Sequence, residues 1–118
     1  VNTCIDIHKE LGAGLLESVY EIVLMRELKF KGLQVDRQVP VMIQFRGIEF
    51  EEGFRADIIV EKKVLLELKS VEKVNNAFRK QLLTYLKLSN LKLGFLLNFG
   101  ESLMKDGITR TINGSLEE

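Results

Sequence analysis

The stretch Phe54-Arg55-Ala56-Asp57-Ile58-Ile59-Val60-Glu61-Lys62-Lys63-Val64-Leu65-Leu66-Glu67-Leu68-Lys69 decides how this chain folds. Two largely apolar runs, 54–60 and 64–70, flank a charged triplet, which is the pattern of two strands joined by a turn. With the loop centred on Lys62, Asp57 falls directly opposite Glu67. Directly opposed residues share a face, with Cβ atoms ~4.5–5.5 Å apart. The period of two then puts Lys69 on the face of Glu67 and Arg55 on the face of Asp57. Two carboxylates and a lysine converge on one patch of otherwise apolar strands. Opposed carboxylates repel each other, so a fold that juxtaposes them must neutralise them. The charge pattern leaves two neutralisers open. One is an ion-pair network with Lys69 and Arg55. The other is a hard cation such as Mg²⁺ between the oxygens, with waters completing its octahedron.

Working outward, residues 3–11 read as a short helix with Ile5, His8 and Leu11 at helical spacing, broken by Gly12-Ala13-Gly14. An amphipathic helix over about 15–31 follows, with Leu16, Val19, Tyr20, Val23, Leu24 and Leu28 on one stripe and Gly32 as its stop. Alternation at Val39, Val41, Ile43 and Phe45 predicts a strand, and Arg46-Gly47 a turn into another at 48–52. Beyond the central hairpin, Phe78, Leu82, Tyr85, Leu86 and Leu88 mark a helix over about 75–89. The apolar run 93–98 reads as a strand buried on both faces, Gly100 ends it, and 108–113 is a final short strand. The order α-α-β-β-β-β-α-β-β gives an α/β fold. Its mixed sheet starts as an antiparallel meander, and a helical crossover then permits one parallel pairing.

Composition sets the outer limits. At 118 residues the chain is expected to be a single domain over 1–118, with a loose tail after about Asn113. Seventeen Lys+Arg offset seventeen Asp+Glu, which excludes a strongly basic nucleic-acid coat or an acidic tail but not local patches. Cys4 has no partner for an internal disulfide and reads as a small buried apolar residue. With His8 the only histidine there is no Cys/His zinc set, and a nucleophile–histidine enzyme could be built only around His8. No apolar run approaches the ~18–20 residues of a membrane span, and nothing resembles a signal peptide. The expectation is a soluble, cytoplasmic protein with no membrane partner.

Glu17 bears on the choice of neutraliser. It follows the glycine bend on the long helix, one turn from Tyr20 and Glu21 and on the flank of the apolar stripe. Taken alone, that is also the place of a solvated glutamate favoured by the helix dipole. The ordered set Gly14-Leu15-Leu16-Glu17-Ser18-Val19-Tyr20, Arg55-Ala56-Asp57 and Glu67-Leu68-Lys69 resembles the GxxExxY family of the PD-(D/E)XK nuclease-like superfamily. The resemblance continues through Gln81-Leu82-Leu83-Thr84-Tyr85-Leu86 and Gly94-Phe95-Leu96-Leu97-Asn98-Phe99-Gly100, and covers about residues 7–113. It implies a restriction-endonuclease-like mixed sheet flanked by helices, and Mg²⁺-dependent hydrolysis of phosphodiester bonds in nucleic acid, usually DNA.

By that resemblance Glu17 matches the first-helix acid, Asp57 the central acid, and Glu67 and Lys69 the ExK pair. Asp57, Glu67, the backbone carbonyl of Leu68 and Glu17 are the implied ligands of Mg²⁺, with Mn²⁺ as a substitute. Lys69 would orient the water or stabilise developing charge. Gln81 matches the glutamine of the later helix, and with Tyr85 it would line a substrate rim. Arg55, Tyr20 and His8 stand as rim candidates too; the plainer reading is packing for Tyr20 and Tyr85, a structural helix histidine for His8 and the ion-pair network for Arg55. The chain departs from the family at Ala13, where proline is usual. It departs again at Asn76-Ala77-Phe78-Arg79-Lys80, where a His-Glu pair is frequent. Two rivals stand beside the nuclease: a non-catalytic nucleic-acid-binding or assembly module, and a structural domain whose hairpin acids are ion-paired. A homodimer is open as a means to grip both strands.

Overall fold

A computed structural model describes residues 1–114. Two helices lead, α1 (Asn2–Leu11) and α2 (Glu17–Phe30), followed by strands β1 (Val35–Phe45), β2 (Ile48–Val60) and β3 (Val64–Lys69). Then come α3 (Asn76–Ser89), β4 (Leu93–Asn98), a 3-10 turn at Met104–Gly107 and β5 (Ile108–Ile112). The strands form one sheet in the order β1-β2-β3-β4-β5. Every neighbouring pair is antiparallel except β3 and β4, which run parallel. α3 supplies the crossover, because the chain must return to the starting end before a parallel strand can begin. The architecture is the mixed sheet that the order of elements predicts, consistent with the restriction-endonuclease-like fold that the resemblance implies.

Local chemistry accounts for the joints. Arg46 and Gly47 both have positive φ (53° and 78°), the type I′ geometry that matches strand twist in a two-residue hairpin. The side chain of Asn75 caps α3 by accepting the Phe78 N–H at 3.1 Å, and Asn90, left-handed at φ 58°, closes its other end. One expectation needs correction: the strands read at 48–52 and 54–60 are a single strand, β2. The interruption is a bulge at which the register with β1 shifts between Val41 and Ile43. A Cβ on Gly53 would lie 1.8 Å from the Val41 carbonyl oxygen, so a glycine there allows the two backbones to touch where a side chain could not. The sheet therefore has five strands rather than six. The expected loose tail lies, from residue 115 on, outside the described residues. Among the described residues no helix is long and apolar enough to cross a membrane.

The sheet is covered on both faces. α1 and α2 bring Cys4, Ile7, Tyr20 and Leu24 against Ile58, Leu66, Leu68 and Leu97. α3 brings Leu82 and Leu86 against Ile59, Leu65 and Leu96 on the other side. Neighbours such as Leu65 and Leu66 thus serve opposite layers, as expected of a strand buried on both faces. On β1 and β2 this alternation slips. Val35 packs with the α2 layer but Val39 with the α3 layer, and Ile58 packs with the α2 layer but Ala56 and Phe54 with the α3 layer. The slip falls between the pairs Arg37↔Ile58 and Val39↔Ala56, that is, at Gln38 and Asp57. Gln38 has φ 53°, a left-handed conformation that re-aims the strand.

The end of β4 is latched to the segment after β3. Asn98 is fully buried; its Oδ1 accepts the Val71 and Gly100 N–H groups, each at 3.0 Å, and its Nδ2 donates to the Val71 carbonyl at 3.0 Å. Asn98→Ala leaves those backbone groups buried without partners, and is expected to cost about 2–4 kcal/mol in a chemical denaturation curve. A loss under about 0.5 kcal/mol would show that the latch is dispensable.

Candidate active site

The β2–β3 ladder pairs Val60↔Val64, Ile59↔Leu65 and Ile58↔Leu66, centred on Lys62 in a loop whose Glu61 and Lys62 both have φ 54°. Beyond Ile58 and Leu66 side chains take over from backbone pairing. The Asp57 N–H donates to Glu67 Oε1 at 3.2 Å, and the Leu68 N–H donates to Asp57 Oδ2 at 2.8 Å. Each carboxylate thus occupies an amide that the parting strands leave unpaired. The slip at Asp57 and this exchange of hydrogen bonds hold the two acids together at the fork of the sheet.

The electrostatics of the pair follow from its depth. Glu67 is only 7% exposed, and burial first, then the charge of Asp57, pushes its carboxyl up to about 8. Asp57 is raised as well, mainly by burial, with the Leu68 N–H opposing and the charges of Glu21 and Glu17 adding to the rise. Lys69 favours the ionised form of both acids. It does not pair with them, since among the described residues the ion pair joins Arg37 to Glu21 instead. The Lys69 Nζ lies 4.6 Å from the centre of the Phe78 ring, a cation–π contact. Arg55 is exposed and turned away, its guanidinium donating to the Gln38 carbonyl at 3.4 Å, so the expected shared face with Asp57 is lost at the slip.

Among the described residues no three His, Cys, Asp or Glu side chains gather into a cluster able to hold a metal. The pair alone fits a smaller requirement. Mg²⁺ takes oxygen donors and commonly uses one or two carboxylates, leaving its other positions to water and substrate phosphates. Two opposed carboxylates, desolvated and without an ion-pair partner, have the charge, hardness and number for that. The ion-paired hairpin weighed from sequence is absent from this geometry.

The other sequence candidates fall into two groups. Tyr85 is brought to the site: it stacks on Phe54 with centroids 3.7 Å apart. Its phenol is raised by partial burial first and then by Glu67 and Asp57, against a hydrogen bond from Gln81. Glu17 is the exposed first residue of α2, close enough for its charge to reach Asp57. Tyr20, by contrast, is fully buried, stacked on Phe99 at 4.4 Å; its hydroxyl donates to the Gly12 carbonyl and accepts the Leu15 N–H, so it shapes the glycine bend from within. His8 is also buried, its Nε2 donating to the Glu101 carbonyl at 2.8 Å, which ties α1 to the loop after β4.

Sequence reasoning passed over Glu21. It is 4% exposed and gripped by Arg37 Nε at 2.6 Å and Gln38 Nε2 at 2.7 Å, on the strand position that faces Asp57 across the ladder. A carboxylate lodged in the stripe between Tyr20 and Leu24 was the available signal, since a charge there needs a buried partner. A family model described as the PD-(D/E)XK nuclease superfamily matches residues 1–111. No curated protein and no solved structure matches significantly.

Proposed function

Because the chain belongs to the PD-(D/E)XK nuclease superfamily, we propose that it hydrolyses phosphodiester bonds in nucleic acid, DNA before RNA, using Mg²⁺ or Mn²⁺ held by Asp57 and Glu67. In this reading the chain is a member of the GxxExxY branch, which the spacing of Gly14, Glu17 and Tyr20 supports, and it works as one domain in the cytoplasm. The observation that carries the reading is the mutually repelling pair at the fork of β2 and β3, Glu67 buried and Asp57 half-buried, with no cation among the described residues bonded to it. A cation bound there would polarise a phosphoryl oxygen and lower the pKa of a water.

The chain's own groups divide the remaining work. Asp57 and Glu67 supply hard anionic oxygens whose orientation is set by the Leu68 and Asp57 amides. The carbonyl of Leu68, the residue whose N–H binds Asp57, is the third donor of this reading. Lys69, propped on the Phe78 ring, brings a positive charge to the side where negative charge develops on the phosphate. Glu17 stands at the mouth, where it would hold a water rather than close the pair into a cage. Gln81 and the Tyr85 hydroxyl form a polar rim against the sugar–phosphate backbone. A second reading, a nucleic-acid-binding module without turnover, draws on Glu17 joining no three-carboxylate cluster among the described residues.

The test is metal-dependent stability. Mg²⁺ or Mn²⁺ at about 100 times its Kd should raise the wild-type Tm by on the order of 5–15 °C, since binding only the folded state stabilises it by mass action. Asp57→Asn should remove most of that rise. Equal shifts in both proteins would dismiss this pair as the metal site.

A further inference from the structure

From Lys73 to Gly100 the chain has no acidic residue and five basic ones, Lys73, Arg79, Lys80, Lys87 and Lys92, leaving twelve Lys+Arg against seventeen Asp+Glu elsewhere. The overall neutrality of the chain therefore conceals two opposed halves. α3 is the centre of the basic half: it contains no acid, and its Arg79, Lys80 and Lys87 are all exposed while Leu82 and Leu86 are buried against the sheet. Lys80 and Lys87 lie seven residues apart, about two turns, so they stand on nearly one line some ~10 Å long. A nucleic-acid strand presents a phosphate every ~3.4 Å of duplex axis, and farther apart through space, so the two ends of that line reach phosphates one or two positions apart. Exposed acids lie on the α1–α2 layer (Asp6, Glu10 and Glu27) and on the β1–β2 hairpin (Glu49 and Glu51), and of these Glu49 shares a groove with Leu88 and Ser89 at the C-terminal end of α3.

α3 also borders the candidate site. Phe78 supports Lys69, and the Tyr85 phenol feels the charges of Glu67 and Asp57. We propose that the exposed ridge of α3 is the surface that holds the substrate's backbone, with Lys80 and Lys87 on neighbouring phosphates, Arg79 on the flank of that line, and Gln81 and Tyr85 leading towards the acidic pair. This rests on the nucleic-acid reading above and gives it a direction of approach. A phosphodiester backbone is the common chemistry, so the ridge takes DNA and RNA without reading sequence.

The experiment measures binding in EDTA, where no cleavage occurs, by anisotropy of labelled duplex DNA, single-stranded DNA and RNA over 50–200 mM salt. The full chain is compared with Arg79→Gln/Lys80→Gln/Lys87→Gln and with a charge-matched control, Lys9→Gln/Arg26→Gln/Lys29→Gln, on the acidic half. Glutamine keeps helix propensity close to that of lysine and arginine, so both triple variants should melt near the wild type. On duplex DNA the α3 variant should bind at least about a hundredfold more weakly at 50 mM salt. Its salt slope should be shallower by about 3, so that wild type loses roughly 40-fold more affinity than the variant between the two salts. The control should keep the wild-type slope. Equal losses in both variants would reduce the effect to net charge and overturn the ridge, and so would an unchanged α3 variant or a wild type that binds none of the three probes. Salt-sensitive binding through α3 without cleavage in Mg²⁺ or Mn²⁺ would uphold the ridge while removing the hydrolase reading.

Discussion

Lys69→Ala is expected to lower divalent-dependent cleavage by at least about 10³-fold while leaving the Mn²⁺-induced rise in Tm close to that of wild type. An electrostatic group aimed at developing charge in a water-poor site is worth about 10²–10³ on its own, and loss of a water-orienting contact adds to that. The lysine makes no ion pair with the carboxylates, so its removal does not dismantle the pair. Its contact is with Phe78, and losing a half-exposed cation–π contact costs about 0.5–1 kcal/mol, too little to unfold the domain. The assay should span duplex, single-stranded and branched DNA plus RNA. Cleavage that survives Lys69→Ala would place the activity at another site, whereas loss of both cleavage and the metal-induced Tm shift would show that the lysine has a structural part in holding the cation.

The second large effect is in pH. In the folded protein Glu67 is raised from the ordinary 4.5 to about 8, and Asp57 is raised with it. A carboxyl whose folded-state pKa is raised binds its proton more tightly when folded. Its stabilising contribution is therefore complete below about 4.5 and is lost as pH climbs through about 8. Metal-free wild type should accordingly lose stability between pH 6 and pH 9, on the order of 2–4 kcal/mol, as the pair is forced to ionise fully in a desolvated fork. Glu67→Gln keeps the shape, removes the second charge and should flatten that loss while forfeiting the response to Mn²⁺. Proton and cation compete for the same oxygens, so in wild type the Mn²⁺-induced rise in Tm should grow from pH 6 to pH 8.5. Denaturation in EDTA at the two pH values decides the matter: parallel declines in wild type and Glu67→Gln would mean that the pH sensitivity lies elsewhere.

Much of the fold could be read from local pattern. A period of 3.6 in α2 and α3, and a period of 2 around the central hairpin, placed most elements within a few residues of their bounds. The β2–β3 register was also legible, because a loop centred on Lys62 forces Ile58 opposite Leu66 and so brings Asp57 beside Glu67. The bulge at Gly53 was not, since an isolated glycine in a strand pattern looks the same whether it ends the strand or lets a neighbouring carbonyl approach. Nor was the fate of Arg55, because the period of two breaks at Gln38 and Asp57, where the strands change face.

The amino-acid sequence by itself determined the order of elements, the hairpin register and the presence of an acid–acid–lysine set, since each depends on spacing within one segment. Tertiary structure decided what those residues can do. Burial between two helical layers raised the acids, the slip at Gln38 and Asp57 turned Arg55 out, and Phe78 on α3 drew Lys69 off the carboxylates. Contacts such as Glu21 with Arg37 and Gln38, or His8 with the Glu101 carbonyl, join residues far apart in the chain. No local period encodes them: they form only when the sheet brings distant segments together, and desolvation then makes each polar group dependent on the partner it finds.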